Sequence, residues 1–153
     1  MFIVQDGRQC TCGRKGCFEA YASATGLIKT TKEIMVSYPK SVIWELCDFD
    51  LEKVNGGTAF KAYKKNDEAG IKIVESYIRS LCEGIMNICN IFRPEVILLS
   101  GGIANEGDVL FNLVNDYLRQ HDYGYPRTPE VKVLPAKGGY DSGKIGAASL
   151  FFQ

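Results

Sequence analysis

Apolar and polar positions along the 153-residue chain fall into two kinds of pattern. Ile71, Val74, Ile78, Leu81, Ile85, Cys89 and Phe92 recur at steps of three and four. That spacing puts them on one face of a helix of about six turns. Pro94 pushes Arg93 out of helical geometry, so this helix has to stop near Phe92. Glu95-Val-Ile-Leu-Leu99 is too short for a helix and too apolar for a surface loop. It reads as a strand buried on both faces, as in a parallel sheet. Ser100-Gly101-Gly102 ends it, and Leu110, Leu113, Val114, Tyr117 and Leu118 mark a second amphipathic helix. Val131 to Leu134 is the next strand. A second glycine turn over 138–143 leads into a last helix, Ile145 to Phe152. Helix, strand, glycine turn, helix, strand, glycine turn, helix predicts a right-handed βαβ unit and an α/β sheet.

The first half is less regular. Phe2-Ile-Val4 has the character of a strand end, and residues 7–17 form a Gly/Cys-rich loop. A helix is expected from about Phe18 to Lys29, with shorter ones near 31–38 and 57–65. Pro39 and the Asn55-Gly56-Gly57 turn break the pattern between them.

Composition narrows the function. Hydrophobic residues make up 46% of the chain and charged residues 24%, which suits one folded lobe and excludes compositional disorder. Lys plus Arg (18) balances Asp plus Glu (18), so the basic excess of a dedicated nucleic-acid binder is missing. No apolar run reaches the roughly 18 residues of a membrane span, and Met1 to Asp6 has no signal-peptide pattern. The expectation is a cytoplasmic protein. Cys47, Cys82 and Cys89 sit among apolar neighbours and read as small core residues.

The other cysteines are clustered in Cys10-Thr-Cys12-Gly-Arg-Lys-Gly16-Cys17. Thiols this close on a tight turn can supply part of a tetrahedral zinc site. Three unpaired reduced thiols and a redox pair are the alternative readings of the same spacing. His121, the one histidine, lies in a distant polar stretch and fits a solvated loop or helix end better than a fourth ligand. Gly101-Gly102 and Gly138-Gly139 each follow a predicted strand. In α/β sheets that edge is where ligands approach the backbone, although a tight turn without a ligand fits equally.

Taken together, these segments resemble the ROK family of bacterial sugar kinases and repressors. Cys10-Thr-Cys12-Gly13-Arg-Lys-Gly16-Cys17-Phe-Glu19-Ala-Tyr-Ala-Ser23 matches the family's C-x-C-G-x-x-G-C-x-E-x-x-x-S signature at every fixed position. Leu99-Ser-Gly101-Gly102-Ile-Ala and Asp141-Ser-Gly143-Lys-Ile-Gly146-Ala-Ala148 resemble its nucleotide-side glycine segments, with Ser142 where the family usually has Ala. The resemblance implies an actin-like, RNase H-like ATPase lobe with a parallel or mixed sheet flanked by helices, plus a zinc-knuckle loop. It implies Cys10, Cys12 and Cys17 as ligands of a structural zinc, completed by a histidine that would fall just before Met1. It implies Glu19 as a contact to sugar hydroxyls; the residue also suits the first turn of a helix. Gly101, Gly102, Gly138 and Gly139 are implied on the nucleotide side.

The family's N-terminal lobe carries a D-x-G-x-T phosphate segment and an Asn-Asp pair that supplies the catalytic base. Neither is recognised here, and no catalytic residue is assigned to this chain. The resemblance therefore implies a C-terminal lobe spanning 1–153, with zinc loop 7–17, helical segment 18–92 and a βαβα segment 95–152. Such a lobe would phosphorylate a hexose with ATP and Mg only together with its N-terminal lobe, and the resemblance implies the homodimer that family members commonly form. The repressor branch, which adds a DNA-binding segment, is the alternative.

Overall fold

The periodic stretch that begins at Ile71 folds as α5, Glu68–Phe92. Its Ile73, Val74, Tyr77, Ile78, Leu81, Cys82, Ile85 and Cys89 are buried, while Phe92 at the far end is exposed. Asp67 caps its start: the carboxylate accepts the Gly70 N–H at 2.9 Å, the Val42 N–H at 3.1 Å and the Ser41 hydroxyl at 2.8 Å. One side chain thus closes the helix and ties it to the preceding loop. The computed structural model describes residues 1–137 and 141–152. They divide into two units, Met1–Asn87 and Ile88–Gln153, with the division falling inside α5.

The first unit is helical. It holds α1 (Glu19–Ala22), α2 (Ala24–Met35), α3 (Ile43–Leu46), α4 (Thr58–Lys64) and most of α5. The helix expected over Phe18–Lys29 is broken at Ser23, whose backbone is extended (φ −82°, ψ 167°). Its hydroxyl accepts the Gly26 N–H at 3.0 Å. A serine that can satisfy a free helix N–H begins a new helix, and this preference overrides the continuous pattern. The apolar 2–4 run forms no strand; Phe2 makes a single antiparallel bridge with Cys17. Leu27, Met35, Ile43 and Phe60 are fully buried. Phe60 meets Tyr77 edge to face, ring centres 6.3 Å apart. Such a pair contributes about 0.5–1.5 kcal/mol beyond simple burial. Burial pushes the Tyr77 phenol up to about 12. Its hydroxyl donates to the Ala22 carbonyl at 3.1 Å, fastening α1 to α5.

The second unit contains the predicted crossover. β1 (Val96–Leu99) leads through a 3-10 turn and α6 (Asp108–His121) to β2 (Lys132–Pro135). The strands are parallel, in register from Val96 opposite Lys132 to Leu99 opposite Pro135. Leu110, Phe111, Val114 and Leu118 form the buried face of α6. Val133 is fully buried, and both its main-chain groups bond the Asn115 side chain of α6, each at 2.9 Å. The expectation of a strand buried on both faces is not met: Val96 is 43% and Leu98 62% exposed. The run is apolar enough for two covers, but among the described residues Ile97 and Leu99 are only half-buried and Val96 and Leu98 stay exposed. Arg93, at φ +43°, ends α5 before Pro94 as expected, and its guanidinium pairs with the buried Asp122 at 2.8 Å. The last helix, α7 (Ser142–Ser149), carries Ile145 exposed, and Leu150 and Phe151 beyond it are exposed too. Among the described residues, no helix is long and apolar enough to cross a membrane.

Candidate functional site

The cysteine loop is a small hairpin. Gln9 bridges Lys15, the Cys10 N–H donates to the Arg14 carbonyl at 2.8 Å, and the Gly13 N–H returns to the Cys10 carbonyl at 3.1 Å. At its base the Gly16 N–H donates to the Arg8 carbonyl at 2.8 Å, and the Gly16 carbonyl accepts the Ile3 and Val4 N–H groups. Gly16 adopts φ +74°, and a Cβ there would lie 1.7 Å from the Val4 carbonyl oxygen. Only glycine satisfies both constraints.

This hairpin brings the three predicted sulfurs within 4.8 Å of one another, with Cys12 and Cys17 3.6 Å apart. A tetrahedral zinc with bonds of about 2.3 Å needs sulfurs about 3.8 Å apart, so the three thiols fit one face of such a site. No histidine joins them among the described residues. His121 instead ends α6, stacked on Tyr117 with its Nδ1 2.9 Å from the Tyr117 carbonyl oxygen.

The thiols are not equivalent. Cys10 and Cys17 are buried and Cys12 is exposed. A hydrogen bond from the Arg14 N–H, helped by the Cys10 and Cys17 thiols, lowers Cys12 to about 7. Its hydrogen bond to Cys12, reinforced by burial, raises Cys17 to about 11. Thiolate character is therefore concentrated on Cys12.

Glu19 is two residues past the last cysteine, in the first turn of α1, and it is exposed. The Cys10 thiol donates to its Oε2 at 3.5 Å. Both line an open cleft of about 280 Å³ with Arg8, Ser23, Thr25 and Lys29. The helix breaks at Ser23, and residues on both sides of the break line the cleft. Sequence reasoning singled out Glu19 and missed the Arg8 and Lys29 walls. A basic residue two places before the cysteine run was the available sign. A carboxylate at the rim of such a cleft can accept two hydroxyl hydrogen bonds.

In the second unit, Gly101 has φ +104°, and among the described residues nothing stands within 4 Å of a Cβ at Gly101 or Gly102. The backbone after β1 therefore has no described side chain packed against it at these two positions. Gly138 and Gly139 lie outside the described residues.

Known proteins resemble this chain along nearly its whole length. The chain is 32% identical over 152 residues to a glucokinase of Thermotoga maritima, covering 97% of this chain and 46% of that protein. It is 26% identical over 159 residues to the xylose repressor of Bacillus spizizenii, covering 100% of this chain and 35% of the repressor. The crystal structure of a ROK family glucokinase from Streptomyces griseus, in complex with glucose and AMPPNP, superimposes with a TM-score of 0.88 at 26% identity. That match covers 98% of this chain and 49% of the other. The chain thus spans less than half the length of these relatives. Residues 1–153 match the pattern of the ROK family from end to end, and the chain belongs to that family.

Proposed function

We propose that this chain is the C-terminal lobe of an ATP-dependent, glucokinase-like hexose kinase. The observation that carries the reading is the placement of Glu19 on the same cleft that Cys10 of the cysteine knuckle lines. Glu19 accepts hydrogen bonds from sugar hydroxyls and orients the ring. Cys10, Cys12 and Cys17 hold a zinc ion, which contributes rigidity to the hairpin rather than chemistry. Gly101 and Gly102, with Gly138 and Gly139, let the nucleotide lie against bare backbone, and ATP arrives with Mg. The base that takes the proton from the sugar hydroxyl belongs to the N-terminal lobe. Phosphoryl transfer needs positioning, charge neutralisation and that base together, so this lobe alone does not turn over.

The similarity to xylose repressors supports a second reading, in which the same cleft senses a sugar for a DNA-binding protein. A glucose- and ATP-dependent coupled assay separates the two. On the kinase reading the full-length protein turns over and the 153-residue chain alone does not; on the repressor reading neither turns over. In the full-length enzyme, Glu19→Ala is expected to raise the glucose KM about 10- to 100-fold, the worth of hydrogen bonds to a charged group. Unchanged KM rejects the contact.

A further inference from the structure

Arg8 stands outside the signature, yet it bonds both the cysteine hairpin and the helices that line the cleft carrying Glu19. Its main chain holds the hairpin: the carbonyl accepts the Gly16 N–H at 2.8 Å, and the N–H donates to the Tyr21 hydroxyl at 2.6 Å. Its side chain, only 16% exposed, holds the helices. Nη1 donates to Thr30 Oγ1 at 2.9 Å and to the Ala20 and Gly26 carbonyls at 3.4 Å. Nη2 donates to Glu33. The guanidinium also stacks over the Tyr21 ring, 4.8 Å from its centre. Glu19 lies between the two sets of contacts, adjacent to Ala20 and two residues beyond Cys17.

We propose that Arg8 is the positioning residue for Glu19. It locks the cysteine hairpin, α1 and the first turns of α2 into one angle and so fixes where the carboxylate points. The role rests on the reading of Glu19 as a sugar contact. Arg8 is not offered as a ligand itself, because its charge is matched by Glu33 and its donors point at protein acceptors. A lysine keeps the charge but lacks the planar fork that reaches Thr30 and Glu33 at once.

The test is a double-mutant cycle in the full-length enzyme with glucose. Arg8→Lys is expected to raise the glucose KM about fivefold or more and to leave kcat within about twofold, the signature of lost ground-state binding. In a Glu19→Gln background the same substitution is expected to change KM less than about twofold, because the two side chains act as one unit. Thr30→Val, which removes one anchor and keeps the side-chain shape, is expected to give a smaller rise of the same kind. It also carries the test if Arg8→Lys does not fold. Zinc content is expected to stay at the wild-type level in both variants. An unchanged KM in Arg8→Lys and Thr30→Val, an equal KM rise in both backgrounds, or loss of zinc in place of the KM effect overturns the proposal. A Glu19→Gln enzyme with wild-type KM instead removes the sugar contact on which it rests.

Discussion

At Cys12 a single backbone N–H shifts the acidity of a side chain. Because the Arg14 N–H stabilises its thiolate, Cys12 ionises at about 7, whereas its neighbour Cys17 is held up to about 11. A lowered value means the reactive thiolate is present above about pH 7 and lost below it. In metal-free protein, alkylation of Cys12 by iodoacetamide should therefore accelerate through about pH 7, with Cys17 lagging far behind; peptide mapping after a short pulse reads both. Equal labelling at pH 8 would contradict the assignment. If the three thiols hold zinc as proposed, its uptake displaces the remaining protons, so competition with a chelator should show weaker zinc binding at pH 6 than at pH 8. The three cysteines and Glu19 were legible because their chemistry is local, written within ten consecutive residues. Arg8 was not, because its partners Thr30 and Glu33 lie 22 and 25 residues away and only the fold brings them to it.

Two contacts decide how the helices of the first unit meet. Phe18, between the last cysteine and Glu19, presses its ring onto α5 where Gly84 leaves room; a Cβ on Gly84 would lie 2.3 Å from that ring. Gly84→Ala is expected to destabilise by about 1–3 kcal/mol, the usual cost of overpacking. Phe18→Leu should recover part of it, both read as denaturation midpoints. At the head of the same helix, the hydrogen bonds to Asp67 outweigh its burial and hold its carboxyl below the ordinary value of 3.8. A depressed folded value gives stability that is present above pH 3.8 and lost as pH falls through the folded value. Asp67→Ala should cost about 1–2 kcal/mol at neutral pH. It should also flatten the loss of stability below about pH 4 that titration of this group produces. The long helix and the crossover helix were readable from periodicity, since each has enough residues to average out exceptions, and the strands from short apolar runs next to glycine or proline. The break at Ser23 was not. One capping hydroxyl defeats a pattern of twelve positions, and nothing in hydrophobic spacing registers it.

Across the molecule, the sequence pattern carried the α/β class and the family, and it overstated how much of β1 this chain covers. Leu98 and Leu134 stand side by side on the sheet and are both exposed, as are Ile145 and Phe151. An apolar strand signals that it belongs in a core without saying which segment completes that core. The Asn115 amide has a related consequence. By bonding both the N–H and the C=O that Val133 turns away from β1, it mimics a neighbouring strand and seals that border of the sheet. At Val133 no further strand can claim those two groups, so one asparagine guards this side of the sheet against indiscriminate edge pairing.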